Sequence, residues 1–308
     1  MSDSTEASAP EAASPGSAPS RADQARKGLL VFFALVALGS GVFQGLILRS
    51  GRPVGSDPWL VYGLMWTPGV ASIVARLVFR EGFRDVSFRL GAAAWKAIGL
   101  AWLLPVAIGG CAYGVAWATG LASFQIPALA SLGLAGLTPP VRFAVLLGLS
   151  LTLVAFLSLF SAAGEEIGWR GYLLPRLVEA EVPRPLLLSA LVWAVWHLPL
   201  ILSGQYVAGP SRALSAAGFV LTIVGIGLVI GWMRLTTGSV WPAIALHGVW
   251  NAVIQGTFDT STKGTSIWVG ESGLLVAALS VAAAALLVRR PFPGRRAPGA
   301  EPFERGQA

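Results

Sequence analysis

Residues 141–170 read VRFAVLLGLSLTLVAFLSLFSAAGEEIGWR, a long apolar run that ends in two adjacent carboxylates and an arginine. A helix crossing the hydrocarbon of a bilayer needs about 20 mainly apolar residues. This stretch meets that length with Arg142 as its one charge before Glu165. Similar runs occur along the chain, and eight spans are expected, at roughly 28–48, 58–79, 94–119, 141–165, 185–203, 215–235, 239–257 and 271–288. Alternating strand patterning is absent, so helices are left to satisfy the backbone in lipid. The expected fold is an all-α, polytopic membrane bundle.

Composition agrees. Of 308 residues 55% are hydrophobic and 12% charged, against about 25% charged in a soluble domain. The net charge of +7 comes with no basic stripe or nucleic-acid motif, so nucleic acid is not an expected partner and membrane lipid is. Cys111, the single cysteine, cannot close an internal disulfide and reads as a small packing residue. Residues 1–27 are rich in Ser, Ala, Pro and Glu at their start and read as a disordered tail rather than a signal peptide. Residues 28–140 then hold the first spans, 141–257 the core that carries chemistry, 258–290 the last span, and 291–308 a cytoplasmic tail. Residues 121–139, broken by Pro127 and Gly133, read as a re-entrant or interfacial loop.

The basic residues set an orientation. With both termini in the cytoplasm, 17 of the 22 Lys and Arg residues fall inside. Only Arg49, Arg52, Arg142, Arg212 and Lys263 fall outside, a positive-inside bias. Trp59, Trp95, Trp232, Trp241 and Trp268 fall near span ends, as an interfacial belt would. The expected location is a cell membrane, and the Ala, Arg and Gly bias is that of a high-GC bacterium.

Ionisable groups within spans are costly and point to function. Three segments carry them. Glu165 and Glu166 point about 100° apart on a helix, and Arg170 follows Glu166 at i,i+4, so Glu166 can pair with Arg170 while Glu165 faces another helix. Trp193 and His197 share a helix face, with Pro199 just beyond. His247 and Asn251 share another. Each set alone fits interhelical hydrogen bonding as well. Together, Glu165, His197 and His247 can activate water directly or hold a zinc ion, and Asn251 can donate to an oxyanion. Hydrolysis is the reaction that suits this set.

The three segments resemble the CPBP family of intramembrane proteases, which includes type II CAAX prenyl endopeptidases and abortive-infection-like proteins. Its pattern is EExxxR, FxxxH and HxxxN or HxxxD on separate spans. Glu165, Glu166 and Arg170 supply the first, and His247 and Asn251 the third. The second departs, with Trp193 in place of Phe before His197. The resemblance implies an endopeptidase in which Glu165 and His197 activate water, His247 and Asn251 hold the oxyanion, and Glu166, Arg170 and Trp193 support them. It leaves zinc, on Glu165, His197 and His247, open against a metal-free mechanism. The implied partner is a peptide or membrane-protein substrate. With Glu165 near the cytoplasmic end of its span, the cavity is expected to open to the cytoplasm, where the peptide is cut. The alternatives are a transporter, which no internal repeat supports, and a non-proteolytic scaffold built on the same polar cluster.

Overall fold

Apolar runs that must satisfy their own backbone groups become helices, and capping chemistry decides where each begins. The computed structural model describes residues 20–206, 211–264 and 266–288. Helix α1 (Arg21–Ser50) starts earlier than its apolar run because the Ser20 hydroxyl accepts from the Asp23 backbone N–H and Asp23 lies in the first turn. It stops at Gly51, whose φ of 66° a side chain would resist. The expected tail over 1–27 therefore ends sooner, and its first 19 residues, like the expected tail over 291–308, lie outside the described residues.

The chain continues through α2 (Pro58–Phe79), α3 (Ala92–Thr119), α4 (Pro139–Glu179), α5 (Pro185–Ser203) and α6 (Arg212–Thr237). Next come α7 (Trp241–Trp250), with a π-helical continuation (Asn251–Asp259), and α8 (Leu274–Leu287). Between α3 and α4 a short strand, β1 (Ser123–Phe124), pairs antiparallel with β2 (Thr262–Lys263). This pair and the Arg142 bond to the Pro127 carbonyl pin the 121–139 loop at one end of the bundle.

The helical bundle is as expected, but the span count is not. Among the described residues six helices, α1 to α6, are long and apolar enough to cross a membrane, rather than eight. The segment expected to span at 239–257 is α7, whose residues Pro242–Trp250 are all buried against α3, α4 and α6. The segment at 271–288 becomes α8, only 14 residues long. At 1.5 Å per residue that is about 21 Å, short of a hydrocarbon core of about 30 Å. The fourth span, expected to end at Glu165, runs on through Glu179. Its first half is exposed at Leu153, Phe156, Leu157 and Phe160, whereas Trp169 to Leu174 are fully buried. Cys111 is exposed on α3 rather than packed.

Small residues set how closely the helices approach, as they do where lipid removes the hydrophobic drive between helices. Gly164 and Gly168 of α4 press against α2 on either side of the carboxylate pair. A Cβ at Gly164 would lie 2.9 Å from the Met65 carbonyl oxygen, and one at Gly168 would lie 2.5 Å from the Pro68 carbonyl carbon. Gly168→Ala should therefore push backbone against backbone and destabilise the bundle by about 1–3 kcal/mol. Thermal unfolding in detergent would show a lower midpoint. Gly110→Ala, whose Cβ meets nothing within 4 Å, should leave the midpoint unchanged or raise it.

Candidate active site

Glu165 and Glu166 lie in the buried half of α4, where α2, α5 and α7 surround them, and both are almost wholly removed from solvent. The divided labour expected from helix geometry is what α4 presents. Glu166 Oε1 accepts from Arg170 Nη1 at 2.9 Å and also contacts His247 Nδ1 at 2.9 Å. Glu165 faces α5 instead, where its Oε2 accepts from the Trp193 indole N–H at 2.7 Å. An uncompensated charge would be expensive here, so Glu166 sits between two cationic or cation-forming groups. The Arg170 guanidinium also lies over the Trp193 ring, 4.3 Å from its centroid, a cation–π contact.

His197 sits on α5 one turn after Trp193. Its Nδ1 is 2.8 Å from the Trp193 carbonyl oxygen, which can only accept, so Nδ1 carries the hydrogen and Nε2 is left free. The same argument applies to His247, whose Nδ1 faces a carboxylate. Asn251 begins the π-helical continuation of α7, and its Oδ1 accepts from Gln255 Nε2 at 3.5 Å. Glu165, Trp193, His197, His247 and Asn251 all line one pocket of about 70 Å³. Sequence expected these side chains from three segments to meet, and the fold brings them to one place.

Other residues line the site outside the three sequence motifs. Glu271 is buried, lines the pocket and accepts from Trp250 Nε1 at 2.7 Å and from the Tyr206 hydroxyl at 2.8 Å. Burial and the nearby Glu271 carboxylate push the Tyr206 phenol well above its usual range, so it stays a donor. Its signal was an acid at the first residue of an expected span. In sequence Arg76 and Arg234 read only as charges flanking spans. They reach inwards, Arg76 Nη2 to the Gly171 carbonyl at 2.8 Å and Arg234 Nε to the Arg170 carbonyl at 3.0 Å. Those carbonyls belong to the π-helical turn Trp169–Leu173 just after the carboxylates, a wide turn that spoils regular backbone bonding. The two arginines hold that turn and hence the register of Glu165 and Glu166.

Among the described residues no three His, Cys, Asp or Glu side chains come together in a way that could hold a metal ion, so the zinc that the sequence left open on Glu165, His197 and His247 finds no assembled donor set. One expectation changes. Glu165 is not at a helix end. Gly164 beside it abuts Met65 and Trp66 in the middle turns of α2, which puts the carboxylate deep in the bundle.

Residues 147–253 match the family described as type II CAAX prenyl endopeptidase, Rce1-like. Over 99 residues the chain is 35% identical to CAAX prenyl protease 2 of Methanococcus maripaludis. That match takes in 30% of this chain and 36% of that protein, so the chain spans about a third of the length of the curated relative it matches. The family segment contains every residue of the three motifs, from Glu165 to Asn251. The recognition drawn from those motifs therefore holds as a similarity, and residues 147–253 of this chain resemble the Rce1-like, CPBP family of membrane proteases.

Proposed function

We propose that this chain is an intramembrane endopeptidase that cuts a peptide bond with water activated by Glu165. The observation that carries the reading is the convergence of Glu165, His197, His247 and Asn251 on one buried pocket, with each imidazole tethered through Nδ1. Glu165 takes a proton from water as the oxygen attacks the scissile carbonyl carbon. The free Nε2 of His197 accepts a hydrogen bond from that water and orients it. The carbonyl oxygen becomes an oxyanion, held by the Asn251 side-chain N–H and, when His247 is protonated, by its Nε2–H. Glu166 neutralises the His247 imidazolium. The tetrahedral intermediate then collapses, the C–N bond breaks, and Glu165 returns its proton to the leaving amine.

Trp193 gives this site a donor that a phenylalanine would not. Its indole N–H fixes one oxygen of Glu165 and leaves the other for water. A relative carries the name CAAX prenyl protease. A peptide or membrane-protein substrate is the corresponding reading for this chain.

Purified protein incubated with a membrane-peptide library, with products read by mass spectrometry, tests the reading. Glu165→Gln and His247→Ala should each lower product formation by about 10²–10⁴-fold, the range for a lost acid–base or oxyanion group. Product formation that is the same in both variants as in the parent removes the mechanism, and binding without turnover in the parent would favour the scaffold. Because the donor set does not converge as a metal site, chelator should leave the rate unchanged. Trp193→Phe should cost about ten- to a hundredfold in kcat with little change in KM, as expected for a lost hydrogen bond to a charged group. Glu166→Gln leaves Arg170 buried without its counter-charge and should destabilise the fold by about 3–5 kcal/mol, read as a lower unfolding midpoint.

A further inference from the structure

The two ends of the bundle differ chemically, and the catalytic pocket leads to only one of them. At one end Arg21, Arg26, Lys27, Arg80, Arg84, Arg89, Lys96 and Arg184 are exposed. The loops there are tied together, with Val240 N–H donating to the Ser87 carbonyl at 2.9 Å and Arg234 donating to the Asp85 carbonyl. At the other end the exposed basic residues are Arg49, Arg52, Arg212 and Lys263. Its loops are tied by Val54 N–H to the Gln205 carbonyl at 2.7 Å, by Gln125 N–H to the Ser261 carbonyl at 3.0 Å, and by the β1–β2 pair. This second end is the arginine-poor one.

The pocket around Glu165 adjoins a second cavity of about 660 Å³. Val54, Val61, Met65, Tyr206, Asn251 and Glu271 line both, so the two are continuous. The larger cavity is walled by Ser266, Ile267 and Val269 of the β2–α8 loop and by Leu214 near the start of α6, all at the arginine-poor end. The way to the basic end is closed. Trp169, Arg170, Tyr172 and Leu173 fill the bundle beneath the carboxylates and are fully buried. A polar cavity of about 500 Å³ does exist at the basic end, lined by Arg21, Arg80, Arg84 and Arg176 among others, but it shares no lining residue with the catalytic pocket.

We propose that the site takes its water and its peptide from the extracytoplasmic face, through the large vestibule at the arginine-poor end. This route for the peptide presupposes the peptidase reading above. Lys and Arg flanking spanning helices are retained in the cytoplasm, so the basic end faces in and the vestibule faces out. The substrate is then a segment displayed on the outer side of the membrane, such as the juxtamembrane part of a membrane protein or an exported peptide, rather than a cytoplasmic C-terminus. This reverses the opening expected from sequence, which followed from placing Glu165 at the cytoplasmic end of a helix that in fact continues to Glu179.

Single cysteines in a Cys111→Ala background test it. Ser266→Cys, in the vestibule wall, should react with a membrane-impermeant maleimide on intact cells, and Arg84→Cys at the basic end only after permeabilisation. Labelling of Arg84→Cys but not Ser266→Cys on intact cells overturns the proposal whether or not any peptide is cut. Sidedness of turnover is read separately, with an impermeant quenched peptide that detergent-solubilised protein cleaves. Cleavage by right-side-out vesicles, lost when Ser266→Cys carries a bulky maleimide, supports the route. Cleavage only by inverted vesicles overturns the route and leaves the peptidase reading standing. Absence of Glu165-dependent cleavage in detergent counts against the peptidase reading alone, and the labelling result still decides the opening.

Discussion

A carboxylate in the middle of a membrane protein is costly unless hydrogen-bonding or cationic partners meet it there, and Glu166 is met twice. Arg170 approaches from its own helix and His247 from α7, both at 2.9 Å on the same oxygen. The cost of removing these groups from water is several kcal/mol per ion before pairing offsets it. The pairing therefore fixes the distance between α4 and α7 and the rotation of each. With Glu166 so committed, Glu165 is turned by about 100° towards α5. There the Trp193 indole receives it.

The backbone around this knot is arranged to permit it. Gly164 and Gly168 let α2 come so close that any side chain at either position would meet main-chain atoms. Just after them α4 widens into a π turn, and Arg76 and Arg234 arrive from α2 and α6 to bond the Gly171 and Arg170 carbonyls. These are long, fully donating side chains, and only arginine provides several N–H groups in a plane wide enough to serve neighbouring partners at once. Arg76 also pairs with Asp85 and the Gly82 carbonyl, so the α2–α3 loop is tied to the same turn. The helices behind the two carboxylates are thereby locked, and the pocket around Glu165 and the cavity it adjoins lie on the other side of them.

The geometry of the site follows from these constraints. Both imidazoles have Nδ1 occupied by an acceptor, which leaves Nε2 free in each. Their partners differ, a backbone carbonyl for His197 and a carboxylate for His247. Tyr206 and Glu271, at the junction of pocket and vestibule, continue the polar lining towards the open end.

Much of this was legible in the sequence. The apolar runs determined a helical membrane bundle because nothing else satisfies a backbone in lipid. The spacing of Glu166 and Arg170 determined their pairing, since residues four apart share a helix face. Three short motifs marked the site and its family. Sequence could not see that α7, apolar apart from His247, is buried in protein rather than exposed to lipid, because hydropathy does not distinguish the two surroundings. It could not place Glu165 along the membrane normal, because the helix continues through Arg170, Arg176 and Glu179, which read as the polar end of a span. Only the packing of α2, α4 and α6 decided that their buried arginines close one end. Which face the pocket opens to is a property of where side chains fill space, and no linear pattern encodes it.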